Sequence, residues 1–330
     1  MKILAYEHIT GGAMLGDAQM SGLAPEGEAM LRALVDDLMA IPGVEVAAMR
    51  DSRLRADLPA TLQHVGMASD FWPAFRRAVR GADAVWPIAP EQGGMLLRIT
   101  DEILQAGRVL LGCRPDAVKI ATRKRATADV LARAGIATIP TYLDERNVPP
   151  EIGAIVVKPD DGAGCQDTLL FRSRSQLRAW LHANGRAGLV FQPYIHGDAR
   201  SLSLLCCDGH ARVLACNRQK VSIAGGAFEF SGVSVGALAD ADECYARLAG
   251  EVARALPGLW GCCGVDFIET DTGPVVLEVN PRLTTSYAGL RRATGINPAQ
   301  LVLELPGSLE TVVGAMHRTR AVEVEIAHAG

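Results

Sequence analysis

From residue 2 to residue 112 the chain alternates short apolar runs with longer amphipathic ones. Lys2–Tyr6, Val44–Met49, Ala84–Ala89 and Val109–Gly112 have strand length and composition. Glu26–Ala40, Asp70–Arg80 and Gly94–Ala106 carry their apolar residues at helical spacing. This rhythm predicts a parallel sheet flanked by helices. Beyond residue 112 the pattern changes. A helical stretch, Pro115–Ala134, leads to strands Ala154–Val157 and Thr168–Phe171, helix Ser175–Asn184 and strand Leu189–Gln192. Antiparallel strands are expected over Ser201–Val235, a helix over Ala241–Leu256 and a closing strand over Val322–Ile326. The shifts in pattern divide the chain at 1–112, 113–195 and 196–330, in keeping with a length that is large for one core.

The clearest period-two alternation lies between Gly264 and Arg282 and predicts a β-hairpin. Asp271-Thr272-Gly273 reads as a three-residue loop with Gly273 in a left-handed position. Asp266 then faces Glu278, and Gly264 faces Asn280. Val265, Phe267, Val275, Leu277 and Val279 form a dry face, and Asp266, Glu278 and Asn280 share the other. Facing carboxylates repel unless a cation lies between them. Hard oxygen donors without His or Cys suit Mg²⁺, which takes one or two carboxylates and completes its shell with phosphate and water. The plain alternative is a solvated hairpin face.

Composition narrows the classes. Hydrophobic residues make up 49% and charged ones 21%, ordinary for a soluble globular protein. A net charge of −4 carries no nucleic-acid footprint. The opening Met-Lys-Ile-Leu-Ala-Tyr-Glu7 meets an acid too early for a signal peptide, and no apolar run approaches the ~18 residues of a membrane span. Eight cysteines without a C-x-x-C pair read as buried small hydrophobes of a reduced compartment. A cytoplasmic enzyme with small-molecule partners is expected, with neither nucleic acid nor membrane; a homo-oligomer is compatible with this composition.

Three further stretches bear chemistry. Glu7-His8-Ile-Thr10-Gly11-Gly12 follows the first strand in place of a dinucleotide fingerprint, so it is a candidate substrate loop at a strand's carboxyl end. Lys158 ends an apolar strand just before a loop containing Gly162 and Gly164. A buried lysine there should meet an anion, and the loop can offer amides to phosphate oxygens; a lysine snorkelling to the surface is the alternative. Gln192-Pro-Tyr-Ile195-His-Gly-Asp198 is a strand broken by proline, able to offer backbone amides to an adenine edge or simply to connect two units.

In their order along the chain, these segments resemble the ATP-grasp superfamily over about residues 113–304, most specifically at Glu278-x-Asn280-x-Arg282. The resemblance implies an α/β and α+β fold: a Rossmann-like N-terminal domain (1–112), a small central subdomain (113–195) and a C-terminal subdomain with the metal hairpin (196–330), the last two clamping ATP. It implies two Mg²⁺ ions, with Mn²⁺ able to substitute, and an acyl-phosphate intermediate. Lys124 and Lys158 correspond to phosphate lysines, with Lys119 a rival to Lys124. Gln192 and Ile195 correspond to the adenine hinge, and Asp198 is the nearest ribose acid. Asp266, Glu278 and Asn280 correspond to the metal ligands, and Arg282 to the group against the transferring phosphoryl; Lys158 and Arg282 would be catalytic. Asp161–Gln166 is the loop expected to close over the intermediate.

Both ends of the chain, Glu7–Gly12 with Pro25–Leu31 and Ala89–Leu96, and Glu278–Leu290, are similar to the tyramine–L-glutamate ligase family. This implies joining of the glutamate side-chain carboxylate to tyramine or a close phenolic amine, for methanofuran-type cofactors. Gly11, Gly12, Thr284, Thr285 and Ser286 would then contact substrate, Glu7 would receive the ammonium, and Arg282 or Arg291 would hold a carboxylate. Another amino-acid ligase of D-alanine–D-alanine type, or a nucleotide-binding regulator without turnover, are the alternatives.

Overall fold

Buried on both faces, the apolar runs of the first 110 residues pair in parallel, as expected of strands sandwiched by helices. The computed structural model describes residues 1–17, 20–55, 57–162, 164–240, 242–305 and 320–326. The first unit contains β1 (Lys2–Glu7), α1 (Met20–Met39), β2 (Glu45–Asp51), β3 (Thr61–Val65), α2 (Phe71–Arg80), β4 (Ala84–Ile88), α3 (Met95–Gln105) and β5 (Val109–Leu110). Among the described residues these strands form a parallel sheet in the order β3-β2-β1-β4-β5. The pattern had no strand at β3, an edge strand whose Thr-Leu-Gln-His-Val sequence stays mostly half-buried or exposed. One face of the sheet packs on α1, whose Leu31, Leu34 and Leu38 share a core with Tyr287, Leu290 and Val302 from the far end of the chain.

The rest of the chain follows as α4 (Pro115–Ala121), α5 (Lys124–Arg133), β6 (Ile155–Pro159), β7 (Leu169–Phe171), α6 (Arg174–Asn184) and β8 (Leu189–Pro193). Then come β9 (Asp198–Cys207), β10 (His210–Ala224), β11 (Ala227–Leu238), α7 (Cys244–Ala255), β12 (Gly261–Thr270), β13 (Gly273–Asn280), α8 (Tyr287–Thr294), α9 (Pro298–Glu304) and β14 (Val322–Glu325). Their strands run β13-β12-β9-β10-β11-β7-β6-β8, with β14 on β11. The β7–β11 seam is narrow: one register pair, Ala227 with Leu169, flanked by Leu170 N–H to Gly226 O and Phe228 N–H to Thr168 O. Small β6-β7-β8 and large β9–β13 portions can therefore face each other across a cleft. No described helix is long and apolar enough to cross a membrane.

Two local departures from the expected pattern position the cleft residues. The single helix expected over Pro115–Ala134 is two, because Arg123 is extended (φ −105°, ψ 112°). The break exposes the amides of the first turn of α5 to Asp160 at the end of β6. Lys124 N–H donates to Asp160 O (2.9 Å) and Arg125 N–H to Asp160 Oδ1 (2.9 Å), a cap supplied from another element.

The second departure is in the hairpin. Thr270 pairs with Gly273, so the turn has two residues, not three. A bulge between Asp266 and Phe267 then shifts the pairing by one, and Asp266 faces Glu278 and Gly264 faces Asn280 as expected. Val276 is the reason: its N–H donates to Ala137 O (2.9 Å) and its C=O accepts from Ile139 N (3.0 Å), covering the open edge of β13. The dry face is consequently Val265, Phe267, Val276 and Val279, all essentially inaccessible. Val275 is only half-buried, and Leu277 turns toward the cleft.

Removing the Asp160 cap should cost about 1 kcal/mol. Asp160→Ala is expected to lower the urea midpoint, with Asp160→Asn retaining most of the stability; an unchanged midpoint in Asp160→Ala would show that the α5 terminus needs no such partner.

Candidate active site

The hairpin face, β6, β8 and the first turn of α5 converge on one cleft of about 1270 Å³, counted out to its open mouth. On β6 and β8, Val156 stands opposite Gln192, and both face the cleft together with Lys158, while Ile155 and Val157 pack under α6. Gln192 is buried and donates to Thr141 Oγ1 (2.8 Å). Tyr194 and Ile195 extend this wall, and Ile139, Ile268, Leu277, Val221, Phe228 and Phe230 add to the apolar lining.

The floor holds the charges. Asp266 accepts from Asn280 Nδ2 (3.1 Å) and from Gln219 Nε2 (2.9 Å). Glu278 lies 3.4 Å from Lys124 Nζ, and Lys124 also donates to Gly162 O. Burial and the neighbouring Glu278 charge push the Asp266 carboxyl up to about 8. Glu278 is held below its ordinary value: burial opposes this, and the Lys124 and Lys158 charges overcome it. Burial lowers Lys158 to about 8, with Glu278 resisting the fall and Lys124 adding to it. Two carboxylates and two lysines thus share one buried field in which no group is independently satisfied.

This donor set can be tested against a metal. No group of three or more His, Cys, Asp or Glu clusters anywhere among the described residues. Two facing carboxylates and an amide remain, now held by nitrogen donors where a cation's charge is called for. That fits Mg²⁺, which leaves most of its shell to phosphate and water, and argues against an all-protein metal cage.

Beyond the hairpin, Arg282 reaches the cleft already engaged. Its Nε lies 3.0 Å from Glu91 Oε1 and its Nη2 donates to Glu91 Oε2 (3.1 Å), in the Glu91–Gly94 turn of the first unit. Thr284, Thr285 and Ser286 line the same end. Ser286 Oγ is within hydrogen-bond distance of Ser203 Oγ (2.8 Å) and Thr284 Oγ1 (2.9 Å), and Asn217 donates to Ser203 (3.0 Å). Gly264 is required here, since a Cβ would meet Thr284 Cγ2 at 2.7 Å. Gly162, Gly164 and Cys165 roof the cleft; Ala163 lies outside the described residues. Asp161 Oδ2 accepts from Gly93 N (3.0 Å), tying this roof to the same turn that holds Arg282.

Several expected residues lie elsewhere. Lys119 is exposed on α4, so Lys124 is the lysine brought into the cleft. Asp198 is at the exposed start of β9 in an ion pair with Arg200 (3.0 Å), outside the residues that line the cleft. Glu7, Gly11 and Gly12 are buried inside the first unit rather than on the cleft. Glu7 is consumed by Ile9 N (3.0 Å) and by Thr10 N and Oγ1 (both 2.6 Å), and a Cβ on Gly12 (φ 92°) would meet Val65 at 2.7 Å. Arg291 is turned to Asp37 (3.1 Å). Sequence reasoning missed Gln219 and the β10–β11 aromatic wall, whose strands read as ordinary antiparallel pairs. It also missed Glu26 on α1, which lines the cleft and accepts a hydrogen bond from Thr285 Oγ1.

The family described as an ATP-grasp domain matches residues 121–286, and a pre ATP-grasp 3 domain matches residues 44–118. The tyramine–L-glutamate ligase of Methanocaldococcus jannaschii is 28% identical over 217 residues, 66% of this chain and 60% of that protein. A protein of Xanthomonas oryzae pv. oryzae named probable alpha-L-glutamate ligase is 33% identical over 155 residues, 45% of this chain and 50% of its own. The chain thus spans at most about three-fifths of the length of the curated relatives it matches. A crystal structure from Archaeoglobus fulgidus assigned to the ATP-grasp superfamily superposes with a TM-score of 0.75 at 22% identity, covering 98% of this chain and 92% of that one.

If Lys158 meets phosphate oxygens, Lys158→Met should weaken ATP binding by about tenfold or more, the scale of one lost charge-assisted bond. Lys119→Met should leave it unchanged. Calorimetric titration with both variants checks this, and the reverse order of effects would contradict the site.

Proposed function

The chain belongs to the ATP-grasp family, and we propose that it is an ATP-dependent carboxylate–amine ligase that activates the side-chain carboxylate of L-glutamate. The observation that carries this reading is the enclosure, in one cleft, of the Lys124/Lys158 pair, the Asp266/Glu278/Asn280 face and the Arg282–Ser286 segment. Glutamate is supported by the names of two relatives, which share that substrate while differing in the rest. In the same reading, residues 1–112, 113–195 and 196–330 are the N-terminal domain and the two clamping subdomains, the setting is the cytoplasm, and the amine is tyramine or a close phenolic amine. A role in methanofuran-type cofactor synthesis follows from that choice of amine.

A carboxylate is a poor electrophile until one oxygen becomes a leaving group, so ATP first phosphorylates it. Phosphoryl transfer asks the protein mainly for in-line positioning and charge neutralisation. Lys124 and Lys158 hold phosphate oxygens, and Gln192 with the Tyr194–Ile195 wall holds the base. Asp266, Glu278 and Asn280 would hold Mg²⁺, which when bound would offset charge on the transferring group. Arg282, kept in place by Glu91, faces the acyl end, where the hydroxyls of Thr284, Thr285 and Ser286 position the acid. No covalent enzyme nucleophile is required. The roof at Gly162, Gly164 and Cys165 shields the acyl phosphate from water.

Incubation with ATP, Mg²⁺, L-glutamate and a panel of amines, with products followed by mass, is expected to yield ADP and γ-glutamyl-tyramine. A glutamyl dipeptide in its place would favour the amino-acid ligase reading, to which the Xanthomonas relative is the pointer. Nucleotide binding without ADP release would favour a regulator. Glu278→Gln should abolish turnover while leaving the thermal midpoint near that of the parent; a folded variant keeping most of its turnover would remove the metal assignment.

A further inference from the structure

The acyl end of the cleft carries one carboxylate with no role in activation. Glu26 lines the cleft from α1, half-buried, next to the Thr284–Ser286 segment. It is held by a hydrogen bond from Thr285 Oγ1, and it makes no ion pair among the described residues. The nearby cation, Arg282, is paired through both Nε and Nη2 with Glu91 and interacts with Glu26 only at longer range. Behind Glu26, Glu7 is closed off by three hydrogen bonds from Ile9 and Thr10. The bare Cα of Gly27 lets that buried carboxylate sit close, since a Cβ there would lie 2.7 Å from Glu7 Cδ. The result is an accessible anion, backed by a second acid, at the place where the acyl carbon must lie. Such a field attracts a cation, and an amine substrate arrives as one.

We propose that Glu26 receives the ammonium of the acceptor amine and takes its proton before attack. The inference rests on the ligase reading above. One N–H proton passes to the Glu26 carboxylate. The freed nitrogen lone pair forms the C–N bond at the acyl carbon, and the C–O bond to the phosphoryl oxygen breaks with its electron pair on the departing phosphate. The second proton on nitrogen leaves with that phosphate. Glu26 is thus a residue of the second half-reaction, whereas Lys124, Lys158 and Glu278 serve the first.

Hydroxylamine separates the halves. It is uncharged near neutral pH, needs no ammonium receiver, and traps an acyl phosphate as the hydroxamate. The full-length protein with ATP, Mg²⁺ and glutamate should form glutamyl hydroxamate. Glu26→Gln should form it with kcat and KM for glutamate within about twofold of the parent, while kcat/KM for the amine falls on the order of a hundredfold. Glu26→Asp should recover part of the amine reaction. Equal losses in both reactions would make Glu26 a support for the Thr285 segment and overturn the proposal. A rise confined to KM for glutamate would assign Glu26 to the acid's own ammonium and overturn it too. Absence of hydroxamate from the parent protein would remove the ligase reading itself.

Discussion

Two carboxylates facing each other in a buried cleft cannot both keep their charge unless cations stand beside them. Asp266 and Glu278 are such a pair, and much of the fold around them answers that constraint. Lys124 arrives from the first turn of α5, 3.4 Å from Glu278, and Lys158 from the end of β6. The balance is incomplete, for Asp266 is driven toward its neutral form while Glu278 stays charged. The unevenness has a direct meaning. Four ionisable groups come from four elements of the chain, α5, β6, β12 and β13, and a further cation for the carboxylates with anionic oxygens for the lysines would complete the set. MgATP has that composition.

The backbone devices that hold this set in place are modest ones. A break at Arg123 lets Asp160 cap α5 and brings Lys124 against the roof loop at Gly162. A bulge at Leu277, beside Val276 with its bonds to Ala137 and Ile139, restores the register that brings Asp266 opposite Glu278. The Glu91–Gly94 turn of the first unit reaches across to Arg282 and to Asp161. The first unit therefore reaches the cleft through Glu26 on α1 and, by way of Arg282, through Glu91, while the glycine turn after β1 is buried within that unit.

These devices also mark where sequence reasoning succeeds and where it stops. Helices and strands with strong periodicity were legible to within a few residues, because burial imposes that period directly. The hairpin pairing at Asp266 and Glu278 was legible too, although through a three-residue loop that is really a two-residue turn plus a bulge. The bulge depends on a partner 137 residues into the chain, which no local pattern reports. Asp198, which follows the proline hinge, sits at the start of β9 and pairs with Arg200 two residues on. Glu7 looked like a substrate acid because it ends a strand; its carboxylate is spent on the adjacent turn, and α1 supplies Glu26 to the cleft. Contacts across long sequence separations, such as Glu26 with Thr285 and Glu91 with Arg282, were illegible for the same reason.

In the proposed function, the floor of the cleft takes phosphate and a divalent cation, and its far end an acid and an amine. The central claim is that the acid is activated by phosphorylation before the amine attacks. Oxygen tracing tests it most directly. With L-glutamate labelled by ¹⁸O in its side-chain carboxylate, turnover with ATP and the amine should transfer one labelled oxygen to each released phosphate, read by mass or by the isotope shift in phosphorus resonance. Release of unlabelled phosphate during product formation would contradict the account.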